Sequence, residues 1–157
     1  MLKINVVAVG KIKEKYFSEA VLEYSKRLSR FCEFNLIEVP EENYSKVDDA
    51  LIEKIKLAEQ ERILPHLKGY VFVAAIEGKK YSSPTFAQTI KRLADEGKGV
   101  ITFVIGGSYG LTDQIKRKAD ALISFSDMTF PHTFFRAMLV EQIYRAFCIN
   151  ASTPYHK

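Results

Sequence analysis

Strand-like apolar runs alternate with helical stretches along the whole chain, and that rhythm constrains the fold more than any other feature. The runs are Leu2–Gly10, Glu33–Val39, Tyr70–Ile76, Val100–Ile105 and Ala121–Phe125. Between them, Lys13–Arg30 sets Phe17, Val21, Tyr24 and Leu28 at helical spacing, and Asp48–Leu64 repeats Leu51, Ile55 and Ala58 on one face. Ser83-Pro84 reads as an N-cap followed by an N1 proline, opening a helix that ends near Glu96 before Gly97 and Gly99. Thr112–Asp120 reads as a short helix, His132–Asn150 as a long closing one, and Glu77-Gly78-Lys79-Lys80 as a turn. Tyr70–Ile76 is apolar throughout, as a strand covered on both faces is. Strict alternation predicts an α/β fold with a mainly parallel sheet and helices on both faces. No repeat, low-complexity tract or linker interrupts it. With 157 residues and 47% hydrophobic content, one domain spanning residues 1–157 is expected.

Composition narrows the partners. A net charge of +4 and a pI of about 9.0 suit a polyanion without requiring one. The first apolar run is far shorter than the roughly 20 residues that span a bilayer, and no small-residue cleavage site follows it. No membrane association is expected, and the cytoplasm is the expected location. Cys32 and Cys148 stand alone in apolar surroundings, with no CxxC or His/Cys spacing. They read as buried free thiols in a reducing compartment, and they cannot assemble a zinc site; no metal is expected.

The last third carries the chemistry. Strand Val100–Ile105 empties into Gly106-Gly107-Ser108-Tyr109-Gly110, and Ala121–Phe125 empties into Ser126-Asp127-Met128-Thr129-Phe130-Pro131. Two strand-end loops side by side describe a ligand crevice at the carboxyl edge of a parallel sheet. The glycine loop resembles a dinucleotide fingerprint, with Asp127 about 20 residues on. Its first two glycines are adjacent where the fingerprint separates them, and no Gly-Lys-Ser/Thr ending makes it a phosphate loop. A tight turn using glycine's freedom, a contact to an adenosyl ligand and dinucleotide binding all remain open at this point.

In the closing helix, Phe135, Leu139, Ile143 and Ala146 share one stripe, which Phe134, Met138 and Phe147 widen beyond a single packed face. So broad a helix reads either as core or as one that also meets a second subunit. His132 and Arg136 share one face, Glu141 and Arg145 another. Glu141/Arg145 reads either as a helix-surface ion pair or as an arginine turned to an anion. The tail Pro154-Tyr155-His156-Lys157 offers an aromatic for stacking, an imidazole and a cation, all suited to an extruded nucleobase, or it simply frays.

FVIGGSYG, then ISFSDMTFPHTFFRAMLVEQIYRAFCI, then PYHK at the end resemble the signature of the RlmH family. These are pseudouridine-N3 methyltransferases of 23S ribosomal RNA, of the SPOUT or α/β trefoil-knot class. INVVAVGKIKEKYF, IEVP, EGK and SSPTFA extend the resemblance over nearly the whole chain. It implies S-adenosylmethionine as methyl donor, a homodimer, and a knotted carboxyl-terminal region that ordinary connection rules would not suggest. It implies donor contacts at Ala74, Gly106 and Phe125, Ser126, Asp127, Met128, Thr129 and Phe130, mostly through backbone. Ala74-Ala75 stands where relatives commonly carry Leu and an acidic residue, which leaves a backbone contact there. It also implies the substrate: RNA of the large subunit or the assembled ribosome.

N3 of a uracil-like ring carries a proton at neutral pH and must lose it before attack. The catalytic candidates are His156 as base or orienter, Arg145 and Arg136 as electrostatic stabilisers, and Tyr155 as a stacking or hydrogen-bonding wall. In a dimer, the tail of one subunit would close the pocket of the other. Lys116-Arg117-Lys118 and Lys11, Lys13 and Lys15 read either as solvated faces or as contacts to phosphates.

Overall fold

A computed structural model describes all residues, 1–157. Five strands, β1 (Lys3–Val9), β2 (Glu33–Val39), β3 (Tyr70–Lys80), β4 (Val100–Ile105) and β5 (Ala121–Ser124), form one sheet in the order β2-β1-β4-β3-β5. Every pairing is parallel. The helices are α1 (Lys15–Leu28), α2 (Asp49–Ile63), α3 (Ser83–Asp95), α4 (Asp113–Lys118) and α5 (His132–Asn150), with a 3-10 turn at Leu64–His66.

The alternation of side chains along each strand divides the interior into two layers. Ile4, Val6, Ala8, Phe72, Phe103 and Ile123 face α1, α3 and α5, which contribute Val21, Phe86, Ile90, Leu139 and Ile143. Val7, Val9, Val71, Val73 and Val104 face the other way, against Ile63 of α2 and Ile115 of α4. The expected α/β arrangement with helices on both faces is present.

Three local expectations differ from the structure. The turn read at Glu77–Lys80 belongs to β3. The strand pairs with β5 at Ala74, swings out, and pairs again at Lys79 and Lys80. Gly78 permits the return, since a Cβ there would lie 2.7 Å from the Ile123 backbone. Ser82, not Ser83, caps α3 by accepting from the Thr85 N–H at 3.1 Å. Helix α2 buries Glu59 and Gln60 beside Ile55 and Ile63, while Leu57 is half exposed. Polar residues on that helix are part of its inner face.

The strand order positions the loops. Leaving β4, the chain must pass the end of β3 to reach β5 on the edge. The exits of β3, β4 and β5 therefore converge at one carboxyl edge. No helix is long and apolar enough to cross a membrane.

Candidate active site

The converging exits enclose a pocket of about 780 Å³, within the range of small-molecule sites. Residues from Ala74–Glu77 of β3, from the end of β4 and the glycine loop apart from Tyr109, and from the end of β5 and the following loop apart from Asp127 supply its walls. Gly106 is needed for space: a Cβ there would stand 2.9 Å from Gly110 C and from Leu111 Cγ. Phe125, Met128, Phe130 and Phe135 make much of the lining apolar. Lys116 donates to Glu77 at 2.9 Å on the rim, and this bond holds the Glu77 carboxyl below its ordinary range.

The structure brings together Ala74, Gly106, Phe125, Ser126, Met128, Thr129 and Phe130 in this lining. It does not bring Asp127, whose exposed carboxylate turns outward to pair with Lys80. The acidic side chain that a dinucleotide fingerprint would aim at a ribose is therefore turned away from the pocket. His132, at the start of α5, also lines it; the sequence set it on one face with Arg136 without giving it a role. Burial, then the neighbouring Arg136, lowers the His132 pKa, against the pull of Glu41 and Glu14.

The carboxyl-terminal candidates gather elsewhere on α5. The tail is seated and not frayed. Glu141 Oε1 accepts from Arg145 Nη2 at 2.6 Å and Nε at 3.0 Å, and from the Tyr155 hydroxyl at 2.9 Å. The Tyr155 hydroxyl also meets that of Tyr24 at 3.2 Å, and its ring lies under the Arg145 guanidinium at 4.6 Å. Burial, then the bonds to Tyr24 and Glu141, push the Tyr155 pKa upward, so the group is a neutral phenol. Arg145 Nη1 lies 3.2 Å from His156 Nδ1. A guanidinium can only donate, so Nδ1 accepts and the imidazole proton sits on Nε2. Glu141–Arg145 is thus an ion pair that also anchors the tail. Thirteen residues of helix separate Arg145 from His132, about 20 Å along the axis.

Arg136 is not part of that cluster. Its side chain is fully buried, paired to Glu38 at 2.7 Å and donating to the carbonyls of Val9 and Gly10 at 3.1 and 3.0 Å. It ties α5 to the ends of β1 and β2, and the expectation that it faces substrate does not match this placement. Between pocket and tail lies a second cavity of about 440 Å³, bounded by Tyr24, Tyr81, Phe86, Glu141 and Gln142. It shares the wall Ser124, Phe125 and Phe130 with the first. Both cysteines are buried free thiols, and burial pushes the Cys32 pKa up to about 12.

A family model described as predicted SPOUT methyltransferase matches residues 2–156. The ribosomal RNA large subunit methyltransferase H of Lactobacillus acidophilus is 50% identical over 159 aligned positions, covering 99% of this chain and 100% of the relative. Among solved structures, a probable methylase family protein from Haemophilus influenzae superposes with a TM-score of 0.54 at 13% identity, over 99% of this chain and 70% of that one. A putative methyltransferase from Legionella pneumophila, solved in complex with S-adenosylmethionine, gives 0.50 at 14% identity, over 92% and 66%. Identities that low speak for the fold alone. The family match leaves out only the first and last residues, and a relative aligns end to end at half identity: this chain belongs to the SPOUT methyltransferase family.

Proposed function

We propose that this chain transfers a methyl group from S-adenosylmethionine to N3 of a pseudouridine in 23S ribosomal RNA, acting in the cytoplasm on the large subunit or the assembled ribosome. The observation that carries the reading is the three-exit pocket, whose glycine loop and apolar β5–α5 loop suit a neutral adenosyl group. The donor fits the residues present: the bare Gly106 lets the loop fold closely against Gly110 and Leu111 beside the pocket, and Phe125, Met128 and Phe130 offer apolar wall to adenine. Ala74, Gly106, Phe125, Ser126, Met128, Thr129 and Phe130 would hold it. Asp127 would contribute backbone only, its side chain being engaged with Lys80. Bound there, the donor supplies an electrophilic methyl group on a sulfonium.

The chain's residues then deal with the N3 proton and the charge its loss creates. Arg145 and His156 Nε2–H are donors that stabilise a developing imide anion. His156 acts as an orienting donor as long as Arg145 occupies Nδ1; to act as a base it must exchange that bond for the substrate proton. Tyr155, held neutral, serves as wall and hydrogen-bond donor. Arg136 acts from behind, fixing α5.

Within one protomer the tail lies down α5 from the loop pocket, so the complete site needs the tail of a second copy. Exposed Tyr16 and Leu22 of α1, Phe134 of α5 and Met128 of the β5–α5 loop support a homodimer through that side. The whole chain acts as one domain, 1–157, and the knot follows from family membership. Exposed Lys11, Lys13, Lys15, Arg117 and Lys118 supply contacts to phosphates, so affinity for RNA falls as salt rises.

The test is incubation of purified ribosomes with isotopically labelled S-adenosylmethionine, followed by mass-spectrometric mapping of the modified nucleotide. Label at N3 of one large-subunit pseudouridine is expected. Label on another base, or none, would overturn the reading.

A further inference from the structure

Helix α2 buries two adjacent polar side chains that neither pocket nor tail accounts for. Glu59 is 4% exposed and Gln60 3%. Such residues go inside only when their polar atoms find partners. Glu59 Oε2 accepts from the Glu42 N–H at 3.1 Å. That fastens α2 to the segment after β2, where Arg62 also donates to the Pro40 carbonyl at 2.8 Å. Glu59 Oε1 stands behind the glycine loop: a Cβ on Gly107 would lie 3.2 Å from it. Gln60 reaches the loop's other end. Its Nε2 donates to Gln114 Oε1 at 2.9 Å, and its Oε1 accepts from the Thr112 hydroxyl. The Thr112 oxygen in turn accepts from the Ile115 N–H at 3.2 Å, capping α4. One turn of α2 therefore touches both ends of the segment from Gly107 to Thr112.

We propose that Glu59 and Gln60 are positioning residues for the methyl donor, setting the depth of the glycine loop from behind without touching the donor. The inference rests on the reading that this loop holds S-adenosylmethionine. Its physical basis is that Gly106, Gly107 and Gly110 have no side chains with which to fix their own loop. A hydrogen bond to Thr112 at one end and the fastened Glu59 carboxylate packed behind Gly107 at the other supply the rigidity that a preorganised site needs, as outer-shell partners do elsewhere. Burial holds the Glu59 carboxyl above its ordinary range, opposed by the bond from Glu42. Glutamine at position 59 keeps an acceptor for that bond and tolerates the same burial.

The experiment titrates the full-length wild type and four variants with S-adenosylmethionine by calorimetry. It pairs each titration with a melting curve and with the donor dependence of methylation on ribosomes. Glu59→Ala and Gln60→Ala are expected to raise donor Kd and donor KM about tenfold, with kcat at saturating donor within about threefold. Glu59→Gln should stay within about threefold of wild type, and Glu53→Ala, on the exposed face of α2, should match it. A merely structural role would lower the melting temperature and leave donor KM unmoved. The proposal falls if Gln60→Ala and Glu59→Ala bind donor as wild type does, or if Glu59→Gln is no better than Glu59→Ala. Should Glu59→Ala fail to fold, Gln60→Ala and Glu59→Gln decide. A wild-type chain that binds no donor at all would instead sink the reading beneath it.

Discussion

At the loop pocket the walls are strand ends, glycines and aromatic rings, whereas the cluster at the far end of α5 is a chain of polar side chains meeting on one carboxylate oxygen. In the first region shape comes from backbone, which the sheet order dictates. In the second, Arg145, Tyr155 and His156 hold position through Glu141 and through one another, so no member keeps its geometry alone. Under the proposed function the contrast divides the labour: the pocket would bind the donor, and the cluster would act on the substrate. Losses in the first should appear as donor affinity, and losses in the second as turnover.

Removing Tyr155–Lys157 should break the comparison most sharply. Methylation of ribosomes should fall about a thousandfold, the scale of lost general acid–base and electrostatic help, while donor affinity by calorimetry stays within about twofold. If donor affinity collapses as well, pocket and tail are one unit and the division is wrong.

Arg136 tests the boundary between the two regions, because it lies on the helix that joins them. Arg136→Met leaves Glu38 and the Val9 and Gly10 carbonyls without their donor. The cost should be about 3 kcal/mol of folding stability, the lower end for breaking a buried pair whose partner keeps some solvent. Urea unfolding measures it. A variant as stable as wild type but catalytically dead would return Arg136 to the catalytic group.

The same residue shows what could be read in advance. The i, i+4 spacing of His132 and Arg136 put them on one face of α5, but not under which strands. Glu38 lies 98 residues away, and only the strand order brings it there. Tyr155 meets Tyr24 across 131 residues, so composition alone left the tail as consistent with fraying as with docking. Strands β1, β2 and β4 and helix α5 were legible because apolar runs and their punctuation are local. The continuation of β3 through Gly78 was not, since its second pairing with β5 is a tertiary event. Glu59 and Gln60 escaped because polarity reads as exposure until a partner is known. Most residues of the loop pocket were placed by loop position and resemblance together, and the outward turn of the Asp127 side chain was not legible because a side chain's direction is not written in its loop.

Gly106 sharpens the pocket half. Gly106→Val forces Gly110 or Leu111 aside, and overpacking of this kind costs about 1–3 kcal/mol, or roughly fivefold to over a hundredfold in donor Kd. Turnover at saturating donor should move less than affinity does. A loss confined to turnover would mean the loop shapes the reaction and not the binding.

His132 should give the smallest effect and connects the pocket to pH. Its pKa is depressed in the folded chain below an ordinary value of 6.5, by burial and by Arg136, with Glu41 and Glu14 opposing. Above 6.5 the ring is neutral in both folded and unfolded states and contributes no pH dependence. As pH falls through 6.5 the unfolded chain takes up the proton first, so stability is lost until the folded value is passed. Urea midpoints for wild type should therefore drop between about pH 7.5 and about pH 5.5 by more than those of His132→Asn, which has no such proton to gain. Equal slopes would show that the imidazole titrates as freely in the pocket as in water, and the apolar lining that defines the loop region would not extend to the first turn of α5.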